Sequence, residues 1–170
     1  YVTEEVAAKQ RNTMSVRKPV EGSIAFKGKD KDLGLPYAFL NTTEGYEKAG
    51  KELKSPLDIT ALNIEAGAAN FELMCTHCHG LEGKGDGAIS RNGHIMGIPD
   101  FSTKLKDLPE GKMYHTLMYG KGLMGSHASQ ISQKGLWQII QYIQVIQNGG
   151  EMPTFDENGV ALVTETVNNN

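Results

Sequence analysis

One short motif, Cys75-Thr76-His77-Cys78-His79, contains the residues whose types and spacing could do chemistry. Cys75 and Cys78 are the only cysteines of the chain, and His79 follows directly. In a C-x-x-C-H unit the two thiols add across the two vinyl groups of a haem, and the histidine binds the iron. Because residues three and four apart share one face of a helix, all three side chains can reach a single porphyrin. The motif therefore predicts one covalently attached haem c, with His79 as an axial ligand of its iron.

Three other roles for a closely spaced cysteine pair fit this sequence less well. A structural zinc site usually takes four ligands in a closed tetrahedron, and the chain has no second cysteine pair. A thioredoxin-like redox pair belongs in a βαβ unit, whereas the flanking residues are typical of a helix. A disulfide across so short a loop gains little stability and strains its own geometry. The adjoining histidine favours haem over all three.

The other axial position of the iron needs a ligand from elsewhere in the chain. A methionine there raises the reduction potential and closes the iron to external ligands, whereas an open position would suit chemistry on a small molecule. Met124 lies in a glycine-rich loop between two predicted helices, where glycines let the backbone approach a ring face. We therefore predict Met124 as the sixth ligand. The alternatives after the motif are Met96 and His127, followed by Met113, Met118, Met152, His94 and His115.

The proximal histidine also needs an acceptor for its second ring nitrogen, because that hydrogen bond fixes the orientation and basicity of the ring. Pro99, within Gly97-Ile98-Pro99-Asp100-Phe101, could offer its backbone carbonyl from a rigid loop. An ordinary loop proline with no such role is the alternative. We predict Pro99 as the residue that supports His79 from behind.

Three helices are predicted around these residues. The first precedes the motif, the second runs from Pro109 to Tyr119, and the third begins at Ser132 and ends at Gly149. Gly67 lies inside the first helix, where glycine costs about 1 kcal/mol relative to alanine. A glycine in that place suits the close approach of another helix.

Composition limits the other functions open to the chain. Its 170 residues fit one domain of ordinary size. A formal net charge of -3 gives no electrostatic support for nucleic-acid binding. No apolar run reaches membrane-spanning length. Only 39% of the residues are hydrophobic and 20 are glycine, so a haem could supply part of the apolar core.

The composition and periodicity of the sequence change twice, which divides the chain into three segments. Residues 1–57 have little periodicity and several prolines, so we predict an extended N-terminal arm that contacts partner subunits. A flexible tether is the alternative. Residues 58–152 have apolar positions at helical spacing and are expected to form a mainly α domain. Residues 153–170 form a polar C-terminal tail.

Taken together, residues 60–148 resemble a class I cytochrome c domain, in which helices pack around one covalently bound haem. The resemblance implies that the Pro99 carbonyl contacts the proximal histidine, that Met124 binds the iron, and that the closing helix crosses the first helix at Gly67. One departure is Gly125, where many relatives have a proline. The matching motifs are Gly67-x-x-x-Phe71-x-x-x-Cys75-x-x-Cys78-His79, Ile98-Pro99-Asp100-Phe101, Gly120-x-Gly122-x-Met124, and Trp137 with Tyr142-Ile143.

The segment 17–25, Arg-Lys-Pro-Val-Glu-Gly-Ser-Ile-Ala, resembles the arm of the monohaem cytochrome c subunit of bacterial alternative complex III. That family is a membrane-bound quinol:electron acceptor oxidoreductase with multihaem and iron-sulfur subunits. The resemblance implies an exported, often lipid-anchored subunit at the periplasmic face of the inner membrane. It would pass electrons from the multihaem subunit to an acceptor cytochrome or oxidase. The quinol site would belong to another chain, so no catalytic residue is predicted here, and an export signal is expected ahead of Tyr1.

Two other classes of function stay open from the sequence. The first is a stand-alone periplasmic electron shuttle, in which the arm is only a tether. The second is a haem enzyme with a displaceable sixth ligand, for which His127 near Met124 is the one hint. A shuttle would leave the membrane without partner subunits, and an enzyme would bind carbon monoxide tightly in its native state.

Overall fold

The computed structural model describes residues 36–162, and this part of the chain contains six helices. Within that part, β-structure is limited to three isolated bridges. The segment 17–25 lies outside the described residues. The predicted mainly helical fold is confirmed. The helices are α1 Thr43–Glu52, α2 Ala61–Met74, α3 Thr76–His79, α4 Ala88–Arg91, α5 Glu110–Tyr119 and α6 Gln133–Gln147.

Three of these helices begin with a side-chain cap. Each capping hydroxyl accepts a hydrogen bond from the backbone N–H three residues further on, which satisfies one of the donors that a helix start leaves unpaired. The caps are Thr42 for α1 (3.0 Å to the Gly45 nitrogen), Thr60 for α2 (3.1 Å, Asn63) and Ser132 for α6 (3.1 Å, Gly135). Helix α5 follows Pro109 and ends at Gly120, whose φ of 83° favours glycine. The predicted bounds of α5 and α6 are therefore close to the observed ones.

Helices α2 and α6 cross in direct contact and form the centre of the core. A Cβ atom added at Gly67 would overlap the carbonyl oxygen of Gln138 on α6. Phe71, one turn further along α2, is 1% exposed, and Ile139 and Ile140 opposite are fully buried. The crossing predicted at Gly67 is confirmed, and it explains why a glycine occupies the middle of a helix.

Helix α1 differs from the extended arm predicted for residues 1–57. Ala49 is fully buried, and a Cβ added at Gly111 of α5 would overlap the Ala49 carbonyl oxygen. The side chain of Glu47 also forms an ion pair with Lys112 at 2.8 Å. Small residues on both helices thus allow a close contact, and most helical stability in proteins comes from such packing. Residues 43–52 lack a clear apolar stripe, so their periodicity did not indicate a helix.

The described part of the predicted C-terminal tail folds back onto the domain. Val160 pairs with Thr60, the residue that caps α2, and the Ala161 N–H donates to the Ile59 carbonyl at 2.7 Å. Residues 153–162 therefore contact the start of α2, and residues 163–170 lie outside the described part. None of the helices within residues 36–162 is both long enough and apolar enough to span a membrane.

Candidate haem site

A cavity of about 400 Å³ opens beside the C-x-x-C-H motif. Two residues of the motif, Cys78 and His79, form part of its wall, and Met124 also lines it. Such a volume with a mostly apolar wall and few polar groups is typical of a cofactor site. Most of the remaining wall is apolar and includes Phe101, Leu105, Leu108, Met113, Leu117 and Ile143.

The two cysteines are placed by consecutive helical turns. Helix α2 ends at Met74 with Cys75 as its C-cap, and the N–H groups of Cys78 and His79 donate to the Cys75 carbonyl at 3.1 and 2.8 Å. Cys75 and Cys78 are free thiols rather than a disulfide. Burial raises the pKa of the Cys75 thiol to about 12, with a smaller contribution from Cys78, so this thiol is protonated at neutral pH. The turn thus holds both thiols and the histidine in one short segment, of which Cys78 and His79, but not the buried Cys75, line the cavity. The attachment of haem through both cysteines stays a prediction.

His79 has the properties of a metal ligand. Burial, and then the nearby His127 and His77, lower the pKa of His79 to about 4. The ring is therefore neutral at pH 7, the form that binds a metal. Its Nδ1 is buried and has no hydrogen-bond partner among the described residues, which is costly for a polar atom. A neutral, half-buried imidazole at the wall of an apolar cavity fits the role of axial ligand to a haem iron.

Pro99 lies in the wall of the same cavity as His79. The structure places the two residues around one space, but it contains no hydrogen bond from the His79 Nδ1 to the Pro99 carbonyl. The ring of His79 instead stacks on Phe101, with centroids 4.9 Å apart. The role of Pro99 as acceptor for His79 stays a prediction.

Met124 reaches the cavity from a tight turn between α5 and α6. The N–H of Lys121 donates to the Met124 carbonyl at 2.9 Å, and the N–H of Met124 donates to the Lys121 carbonyl at 3.1 Å. Gly122, inside the turn, has a φ of 60°, and a Cβ added at Gly120 would overlap the Met124 carbonyl oxygen. The glycines therefore let this loop close on itself and hold Met124, half-buried, in the cavity wall.

The other predicted ligands are less well placed. Met96 lines the cavity but is 81% exposed, and Met113 is buried in the helical part of the wall. The Nε2 of His115 is 3.0 Å from the Leu40 carbonyl oxygen, in the contact between α5 and the preceding chain. The Nδ1 of His127 is 3.0 Å from the carbonyl oxygen of Gly125. The remaining candidates, Met118, Met152 and His94, are absent from the cavity wall.

The structure adds to the site two residues that were not predicted from the sequence. Tyr46, on α1, lines the cavity, and so does Lys121. The ammonium group of Lys121 donates a hydrogen bond of 2.7 Å to the Tyr46 hydroxyl. Tyr46 lies far from the motif in sequence, within a segment that had no clear helical pattern. Its only signal was the capping residue Thr42, which begins α1.

Comparison with known families agrees with this geometry. A family model described as cytochrome c oxidase, cbb3-type, subunit III matches residues 62–143. The fold of residues 62–143 is that of a class I cytochrome c domain. The matched range contains the motif, the Pro99 loop and Met124, whereas Tyr46 lies outside it. A cytochrome c domain implies covalently bound haem c and an electron carrier.

Among solved structures, the chain is similar to a chain of the reducing HAO-like protein complex of Kuenenia stuttgartiensis. The identity is 24% and the TM-score is 0.47. The match covers 58% of this chain and 54% of that one, so this chain spans about half of the other's length. The comparison with curated proteins gave no match.

Proposed function

We propose that this protein is a monohaem cytochrome c that carries single electrons as a subunit of a membrane-bound, quinol-oxidising respiratory complex. The observation that carries the proposal is the single apolar cavity wall that contains Cys78, His79 and Met124. These residues supply an attachment point and both predicted axial ligands. A haem c bound there would supply an iron that gains and loses one electron.

The residues of the cavity have distinct tasks in this proposal. Cys75 and Cys78 would hold the haem covalently, so that it stays bound in both redox states. His79, kept neutral by burial, would bind the iron, and Met124 would occupy the opposite position and keep water and small molecules out. The apolar side chains around them would exclude water from the haem, which favours electron transfer over chemistry on a substrate.

The assignment to a respiratory complex is supported by the sequence of residues 17–25, which resembles the arm of an alternative complex III subunit. In that assignment the partners are a multihaem cytochrome and membrane subunits on one side. An acceptor cytochrome or a terminal oxidase receives the electron on the other side. The protein would lie at the periplasmic face of the bacterial inner membrane, attached by a lipid or by its partners.

Co-purification from detergent-solubilised membranes tests this assignment. We expect the tagged protein to bring with it membrane subunits and a multihaem cytochrome, visible by mass spectrometry and haem staining. The double substitution Arg17→Glu, Lys18→Glu should weaken that association, because it reverses two charges in the arm, while the haem spectrum stays unchanged. Lys104→Glu, Lys106→Glu is a matched charge reversal within the domain. Recovery of the wild-type protein alone in the membrane-free fraction would support a stand-alone shuttle instead.

A further inference from the structure

One contact joins helix α1 to the loop that carries Met124. The ammonium group of Lys121 donates a hydrogen bond of 2.7 Å to the Tyr46 hydroxyl, and it lies 4.0 Å from the centre of the Tyr46 ring. The lysine therefore binds the same side chain by a hydrogen bond and by a cation–π contact. Tyr46 and Lys121 both line the cavity, so this contact forms part of the haem site itself.

Lys121 is coupled to Met124 through the backbone. The two reciprocal hydrogen bonds between these residues, 2.9 and 3.1 Å long, close residues 121–124 into one turn. The tip of this turn has few other contacts: Leu123 is 78% exposed, and a Cβ added at Gly122 or Gly125 would meet nothing within 4 Å. A contact that restrains Lys121 therefore also restrains Met124.

Helix α1 is suited to act as the fixed end of this connection. Its Ala49 is fully buried against α5, where Gly111 allows a close approach. The ion pair between Glu47 and Lys112, at 2.8 Å, holds the same two helices together. Tyr46 itself also packs on α5, with its ring centroid 5.5 Å from that of His115, so it is fixed well enough to restrain the more exposed loop.

We infer that Tyr46 is a positioning residue for the sixth iron ligand. This inference rests on the proposed role of Met124. Tyr46 holds Lys121, Lys121 holds the turn, and the turn keeps Met124 on the iron against competing ligands. Tyr46 precedes the range 62–143 of the family match, so the segment before the cytochrome c domain contributes to its ligand chemistry.

Competition by imidazole in the ferric holoprotein tests the inference. The variants are Tyr46→Leu, Lys121→Leu and the double variant. The control is Lys54→Gln, because Lys54 follows α1 and forms its ion pair with Glu110 of α5, at 3.5 Å, and not with Tyr46 or Lys121. When the loop is released, Met124 leaves the iron more often and imidazole binds more tightly. Each single variant should raise the imidazole affinity about two- to fivefold, which corresponds to one exposed cation–π contact. The double variant should exceed neither single variant, because both remove the same contact.

The outcomes separate this inference from the proposed function. An unchanged imidazole affinity in Lys121→Leu, with a methionine-to-iron band in the wild type, would overturn the inference alone. An equal rise in Lys54→Gln would also overturn it, because the effect would then come from general docking of α1. A wild-type ferric protein without the methionine-to-iron band would overturn both. Should Tyr46→Leu fail to fold, the substitution of Lys121, which is exposed, still tests the same contact. Tyr46→Phe keeps the aromatic ring and should therefore retain most of the wild-type protection against imidazole.

Discussion

His79 and Met124 are held in the cavity wall by different means. His79 is the last residue of the turn that begins at Cys75, and it is half-buried with its ring stacked on Phe101. Met124 lies in an exposed turn held by two backbone hydrogen bonds and by the contact of Lys121 with Tyr46. Both side chains are half-buried, but the turn that carries Met124 has an exposed tip, with Leu123 78% exposed. We therefore expect the iron to lose its ligand on the methionine side first under ligand competition or mild denaturation.

Replacement of Met124 by alanine should abolish the methionine-to-iron band of the ferric protein. It should also lower the reduction potential and allow the ferrous protein to bind carbon monoxide without denaturation, because the iron would have an open position. Optical spectroscopy and a redox titration measure these changes. Met96→Ala is the matched control, since Met96 lines the same cavity but is 81% exposed. If the band persists in Met124→Ala and disappears in Met96→Ala, the sixth ligand is Met96 and not Met124.

At the scale of elements, the α2–α6 crossing determines where the motif lies relative to the rest of the cavity. Gly67 contacts the backbone of Gln138, and Phe71, one turn later, packs in the core just before Cys75. The end of α2, and with it the haem attachment turn, is therefore positioned by a backbone contact that no larger residue allows. A shift of this crossing would move both thiols and His79 together.

The substitution Gly67→Ala should lower the free energy of unfolding by about 1–3 kcal/mol, because its Cβ would push α6 away. Alanine gains about 1 kcal/mol in helix propensity, so a net loss would identify the crossing as the cause. Denaturant unfolding of the holoprotein measures the change. Ala69→Gly, at an exposed position of the same helix, reports the propensity contribution by itself and should cost about 1 kcal/mol. A gain in stability for Gly67→Ala would contradict the close contact.

At the scale of the whole molecule, the cavity bears on stability as well as on chemistry. Its wall is mostly apolar and opens to solvent, so without a haem these side chains would face water instead of being buried. Burying one large apolar side chain is worth about 1.5–3 kcal/mol, whereas a whole domain is stable by only about 5–15 kcal/mol, so a group that covers several of them contributes a large share of the stability. The haem is therefore expected to be part of the core as well as the redox centre.

The double variant Cys75→Ser, Cys78→Ser should be unable to attach haem covalently. After haem extraction we expect it to keep most of its helical far-ultraviolet circular dichroism but to lose near-ultraviolet signals and cooperative unfolding. The single variant Cys78→Ser keeps one thioether and should retain cooperative unfolding. A haem-free double variant that unfolds as cooperatively as the wild type would show that the apolar walls close without the haem.

The attachment chemistry could be predicted from the sequence because its residues are close neighbours. One turn of helix places Cys75, Cys78 and His79 close together, and local hydrogen bonds to the Cys75 carbonyl maintain that turn. The bounds of α5 and α6 followed for the same reason, since caps and terminal glycines act within a few residues. Gly67 stood out because a mid-helix glycine is costly unless something compensates for it.

Tertiary structure decided which distant residues share the cavity. Tyr46 enters it only because Ala49 and Gly111 allow α1 to pack against α5, and these two residues lie far apart in the sequence. Periodicity in residues 43–52 is too weak to reveal such a helix. Among the methionines, Met124 had the most suitable loop, but only the packed walls show that it faces the same space as His79. Local interactions thus determined the chemistry of attachment, and long-range packing decided what surrounds it.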